Sequence, residues 1–120
     1  MHQGSLLLTL FGQQPLFKII DFLIDNLSMD FSKKQIAEGA KISRASLFLC
    51  WPEIEKYGIV KITRSFGKTK LYTLNTKSSI VKRLLDLEKT LIAEALEKDM
   101  VKSAKSKSKV TSHLQEAEVY

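Results

Sequence analysis

The apolar and polar positions along the chain define a series of short elements. From 6 to 11 the side chains are apolar apart from Thr9, a run short enough for either a strand or a first helical turn packed beneath a domain. Gly12-Gln13-Gln14-Pro15 ends it, and Pro15 suits the first turn of a following helix. Leu16, Ile19, Ile20, Leu23, Ile24 and Leu27 then recur at helical spacing, with Lys18, Asp21 and Asp25 opposite, which predicts a scaffold helix over 16–27. Ser32 with Gln35 three residues on is a capping-box pattern, so the next helix is expected to begin at Lys33 with Ile36 and Ala37 on its buried side. Residues 39–42 interrupt it, and Ser43 offers a second N-cap ahead of a helix starting near Arg44.

Projected at about 100° per residue, Leu47, Cys50, Trp51 and Ile54 share one face of that helix. Ala45, Ser46, Phe48, Leu49 and Lys56 share the other, which leaves one side for a core and one for contacts. Pro52 is expected to kink or shorten the helix, and Gly58 to end it. Residues 59–64 and 69–74 read as strands around a turn at 65–68, forming a basic hairpin. Cap candidates at 75–79 precede a long helix over 80–100 that contains neither Gly nor Pro. Its apolar positions, among them Ile80, Leu84, Leu87, Leu91 and Ala95, form a stripe too wide for one surface, and a second copy of the chain would cover the excess. Alternatively the apolar run at 6–11 covers it. Residues 102–109 intersperse Lys with Ser and Ala and are expected to be disordered, solvated or brushing a polyanion. The chain is thus read as one domain over 1–100, including the helix at 78–100, and a basic tail over 101–120.

Composition alters this picture little until charge is divided by region. The 120 residues, 44% hydrophobic and 27% charged, are those of one globular domain. Residues 1–31 carry −2, 32–75 carry +6, 76–101 carry zero and 102–120 carry +2. The positive excess therefore sits on the two short helices and the hairpin, where it would neutralise phosphate and steer a nucleic acid. The apolar run at 6–11 is far shorter than the roughly 20 residues of a membrane span. It also lacks the flanks of a secretory signal, so a cytoplasmic protein is expected. With one cysteine, Cys50, and only His2 and His113, no internal disulfide or soft-ligand metal cluster is expected. No phosphate loop, carboxylate pair or His/Cys constellation suggests catalysis or a cofactor.

Leu10-Phe11-Gly12, Ile36-Ala37, Ile42-Ser43-Arg44-Ala45-Ser46-Leu47 and Glu53-Ile54-Glu55-Lys56-Tyr57-Gly58-Ile59-Val60, in that order, resemble winged helix-turn-helix transcriptional regulators of the broad ArsR/MarR-like type, especially small prokaryotic and archaeal ones. The resemblance spans about residues 10–96. It implies a mainly α fold with a small β-hairpin wing and a long C-terminal helix, no enzymatic activity, and a homodimer on double-stranded DNA. The helix at 44–57 would then enter the major groove, with the wing at 59–74 on the backbone or flanking minor groove.

By the same resemblance the readers are Arg44, Ala45, Ser46, Phe48 and Leu49, capped by Ser43. Arg44 suits either a bidentate contact to guanine or a phosphate, and Ala45 or Leu49 suits a thymine methyl. The helix start at Ser32, Lys33 and Lys34, with Lys41 in the turn, is expected to anchor phosphates, as are Lys61, Arg64, Lys68 and Lys70 of the hairpin. Phe48 and Leu49 depart from the polar reading faces usual in such regulators. They keep open a winged helix that binds protein, and a plasmid or viral partition or nucleoid role remains a further DNA-binding alternative.

Overall fold

The computed structural model describes residues 6–105, with side chains through residue 98. The order is α1 (Leu6–Phe11), α2 (Pro15–Asp25), α3 (Lys33–Ala40), α4 (Arg44–Lys56), β1 (Val60–Phe66), β2 (Thr69–Leu74) and α5 (Ser79–Lys105). Among the described residues, those up to Glu88 make one compact unit and those from Lys89 to Lys105 a second. The apolar run at 6–11 takes the helical of its two expected forms. His2, His113 and the expected tail beyond 105 lie outside the described residues.

Helix α2 begins with Pro15 in its first turn and buries Ile19, Ile20, Leu23 and Ile24. It stops before the last apolar position of its stripe, because Asn26 folds back on the helix end. The Asn26 N–H donates to the Leu23 carbonyl at 3.2 Å and its Nδ2 to the Phe22 carbonyl at 2.8 Å, so Leu27 lies outside and exposed. Two rings off the predicted stripe also pack: Phe17 stacks on Phe11 and Phe22 meets Phe31, with centroids 4.9 and 4.8 Å apart. Helix α2 lies against α3, α4 and β2, and Ile19, Leu23, Ile36, Leu47, Ile54 and Val81 form the fully buried centre. Each such side chain contributes about 1.5–3 kcal/mol through burial.

The break expected from Gly39 begins later. Gly39 is inside α3, and the chain turns at Lys41, a non-glycine residue at φ 61°. The Lys41 N–H reaches the Glu38 carbonyl at 3.2 Å and the Ile42 N–H the Ala37 carbonyl at 3.0 Å, the paired bonds of a Schellman ending. Gly39 serves packing instead, since a Cβ there would fall 2.2 Å from Cε1 of Phe22. Gly39→Ala gains about 1 kcal/mol of helix propensity, yet it is expected to lose about 1–2 kcal/mol net because the ring is held against Phe31. Urea denaturation checks this. In a Phe22→Leu background the same substitution should become stabilising, and equal losses in both backgrounds would refute the clash.

Helix α4 starts on Ser43, whose Oγ accepts the Ser46 N–H at 3.0 Å. It is not shortened by Pro52 and runs on to Lys56. The amide that Pro52 lacks would have served the Phe48 carbonyl, and both residues lie on the exposed side where water can take that bond. Gly58, at φ 63°, ends the helix as expected, with Ile59 N–H on the Ile54 carbonyl at 3.1 Å and both isoleucines buried.

The hairpin turn is tighter than expected. Ser65 and Phe66 belong to β1, leaving Gly67-Lys68 as a two-residue loop with positive φ at Gly67 alone, the type II′ pattern. The register passes from Ile62↔Tyr72 to Arg64↔Leu71, so Thr63 is a bulge. Phe31 adds a bridge on the other edge of β2, exchanging bonds of 2.9 and 2.8 Å with Tyr72. Helix α5 starts on Ser78, whose Oγ accepts the Val81 N–H at 3.2 Å. It passes the expected end at residue 100, so residues 102–105, expected to be disordered, are helical. No Gly or Pro stops it there, and Lys and Ala favour the helix. Among the described residues, no helix is long and apolar enough to cross a membrane.

Candidate nucleic-acid interface

The two halves of the capping box are both formed at the start of α3. Ser32 Oγ accepts the Gln35 N–H at 3.1 Å and Gln35 Oε1 accepts the Ser32 N–H at 2.9 Å. Of the two lysines that follow, Lys34 is exposed, whereas Lys33 is half-buried. Its ammonium stands over three rings, 5.3 Å from the centroid of Trp51, 5.8 Å from Phe48 and 6.0 Å from Tyr72. Lys33 thereby ties α3 to α4 and β2 through cation–π attraction, a role its position in the sequence did not suggest.

On α4, Leu47, Trp51 and Ile54 are buried as expected, while Arg44, Ala45, Phe48 and Leu49 face outward. Phe48 is 53% and Leu49 83% exposed. Ser46 is half-buried. Its hydroxyl accepts from Ser43 Oγ at 3.1 Å, which leaves its own O–H as a donor. Cys50, expected in the core, is only half-buried. Its Sγ–H donates to the Ser46 carbonyl at 3.3 Å, and burial pushes the thiol's pKa up.

The hairpin presents Lys61, Lys68 and Lys70 to solvent. Arg64 is differently engaged. Its Nε and Nη2 donate to the two carboxylate oxygens of Asp30 at 3.1 and 3.0 Å, and Thr63 Oγ1 donates to the same carboxylate. Thr73 Oγ1 donates to the Met29 carbonyl at 2.9 Å, so residues 29–31 are laced to the wing at successive positions. None of Asp30, Thr63 or Thr73 was identifiable from the sequence, because the partners lie 33–44 residues apart. The hydrogen bonds from Arg64 and then Thr63 hold Asp30 down at a pKa of about 2.

A second acidic group behaves oppositely. Burial raises the pKa of Asp25 and of Glu88; Asp21 raises both further, and Asp25 adds to the effect on Glu88. Asp21 Oδ1 and Glu88 Oε1 are buried without a hydrogen-bond partner among the described residues. The two sets have opposite linkage to pH. The stability from Asp30 is present above its ordinary value of 3.8 and is lost as pH falls from there through about 2. That from Asp25 and Glu88 is present below their ordinary values of 3.8 and 4.5 and is lost as pH rises through their raised folded values. Glu88→Gln should therefore stabilise the protein at neutral pH and lose that advantage in acid. Asp30→Asn should destabilise it at neutral pH, with the difference closing towards pH 2. Thermal denaturation across pH reads both, and parallel curves for the three proteins would refute the assignment. Among the described residues, no three His, Cys, Asp or Glu side chains are placed to hold a metal ion.

These elements, a helix, a turn at Lys41, a second helix capped by Ser43 and an antiparallel hairpin, make the fold a winged helix-turn-helix, mostly helical with a two-stranded wing and a C-terminal helix. No family profile matches the chain, and no curated protein matches it in sequence. Among solved structures it is similar to a double mutant of ZitR from Lactococcus lactis in apo form, at 19% identity over 92% of this chain and 80% of that one, with a TM-score of 0.47. A second structure of the mutant gives 19% identity over 84% and 66%, with a TM-score of 0.48.

Proposed function

We propose that this protein is a sequence-specific double-stranded DNA-binding transcriptional regulator acting as a homodimer. The observation that carries the reading is the exposure of Lys34, Lys41 and Arg44 around the helix-turn-helix, with Lys61, Lys68 and Lys70 along the adjoining hairpin. In such a site α4 reads base edges in the major groove, Arg44 and the donor of Ser46 making polar contacts and Ala45, Phe48 and Leu49 apolar ones. Lys34 and Lys41 hold the backbone, and the wing lysines follow the flanking strand. A second copy packs along α5 through Ile80, Leu84, Leu87, Leu91 and Ala95, so that two reading helices meet major grooves about 34 Å apart. Fluorescence anisotropy with random-sequence duplex, followed by selection from a randomised pool, tests this. Steep salt dependence with recovery of an inverted repeat supports it, and absence of binding at low salt refutes it.

Lys41 gives a separate prediction. A non-glycine residue in the left-handed region costs about 1 kcal/mol or more. Lys41→Gly should therefore raise stability by about 1 kcal/mol while lowering the log–log salt slope of DNA binding by about 1. A variant no more stable than the parent, or one binding DNA with an unaltered slope, would count against the corresponding half. The exposure of Phe48 and Leu49 favours one other reading, in which α4 docks a protein. Loss of a partner captured in the presence of nuclease, on Phe48→Ala, would support it.

A further inference from the structure

Phe66 is the last residue of β1, beside the two-residue loop at the hairpin end, and is 57% exposed. A ring so placed leaves apolar surface in water that the free protein does not use. It is nevertheless oriented. The Arg64 guanidinium lies 5.6 Å from the ring centroid, and Arg64 is itself held by both oxygens of Asp30, which also takes the hydroxyl of the bulged Thr63. Asp30 in turn precedes Phe31, whose backbone is paired with Tyr72 in β2. The ring is thus linked through two side chains to the helical body of the domain. Arg64 thus directs its Nε and an Nη2 donor to Asp30, whose carboxylate offsets its charge.

The surroundings of the ring define its partner. Residues 60–74 contain Lys61, Arg64, Lys68 and Lys70 and no Asp or Glu, so an apolar ring sits within a wholly cationic hairpin. Such a combination fits a polyanion that also offers stacked apolar faces, and apolar side chains are the wedges that proteins insert between base steps from the minor groove. We infer that Phe66 is a nucleobase-contacting wedge which the wing inserts into the minor groove of duplex DNA, with Asp30 and Arg64 as its positioning residues. This inference rests on the DNA-binding reading above. A side chain already oriented loses less freedom on binding, which is the advantage of the Asp30–Arg64 support.

The test uses the full chain and a mixed-sequence duplex of about 30 base pairs carrying a donor and an acceptor dye at its ends. The wild-type protein should bind and shorten the end-to-end distance. Phe66→Ala should weaken binding about tenfold and abolish the shortening, with the salt slope unchanged because no counterion release is lost. Phe66→Leu, which keeps an apolar wedge, should retain the bend. Asp30→Asn should reduce bending in the wild-type background and change it no further in the Phe66→Ala background, a coupling that general destabilisation would not produce. Bending rather than affinity is the readout for this variant, because the freed Arg64 cation can gain a phosphate. Circular dichroism of each variant establishes that it is folded. Wild-type binding with Phe66→Ala equal to it in affinity and bend overturns the wedge and leaves the DNA-binding reading standing. Self-association lost in Phe66→Ala with DNA binding intact also overturns it, in favour of a second copy at the wing. Failure of the wild-type protein to bind at low salt overturns the DNA-binding reading and the wedge together.

Discussion

Trp51→Ala is expected to destabilise the protein by about 3–5 kcal/mol, lowering its Tm by roughly 15–30 °C. Trp51 is 3% exposed on the inner face of α4, meets Tyr72 of β2 edge to face with centroids 5.0 Å apart, and lies beneath the ammonium of Lys33 from α3. Its removal would leave a cavity where three elements converge and would strip Lys33 of its nearest ring. The indole Nε1 is buried with no hydrogen-bond partner among the described residues. Leaving such a donor unsatisfied costs about 1–3 kcal/mol, so Trp51→Phe, which keeps a ring and removes the donor, should be far milder than Trp51→Ala. Circular dichroism melts of the two variants decide the matter, since both lack the single tryptophan of the chain. Equal losses would mean that the indole is held by something other than ring packing.

The largest effect on binding is expected from replacing Lys34, Lys41 and Arg44 together by glutamine. If each neutralises one phosphate, the log–log slope of affinity against salt should fall by roughly 3, and affinity at moderate salt by about two to three orders of magnitude. All three side chains are exposed, so the fold should survive the change apart from a small effect at the strained Lys41. Leu49→Ala offers a contrast. It removes an apolar contact but no charge, so it should alter which bases are preferred and leave the slope intact. A triple variant with an undiminished slope would move the electrostatic contact away from the helix-turn-helix.

The elements were largely legible because their signals are local. The Ser32/Gln35 box, the Ser43 cap and the Gly58 ending involve residues a few positions apart, and each forms with the bonds its spacing predicts. Buried stripes were legible for the same reason: Ile19, Ile20, Leu23 and Ile24 on α2 and Leu47, Trp51 and Ile54 on α4 follow helical periodicity. Gly39 reads in sequence as the start of the interruption at 39–42, because a glycine required by backbone conformation and one required by a neighbour's ring look alike there. The neighbour, Phe22, belongs to another helix. The shortening expected from Pro52 does not occur because its cost depends on which side of the helix loses a hydrogen bond, and here that side is exposed.

What the sequence determined by itself is the succession of caps, stripes and turns, and with it the concentration of positive charge over residues 32–75. Such properties depend on torsions and contacts within a few residues, whose energies are the same wherever the chain goes. The tertiary structure alone decided which charges remain available. It turned Lys33 inward onto three rings, gave Arg64 to Asp30, and left Lys34, Lys41 and Arg44 outward. These pairings join residues brought together only when α2, α3, α4 and the hairpin close on one core, so no local pattern encodes them.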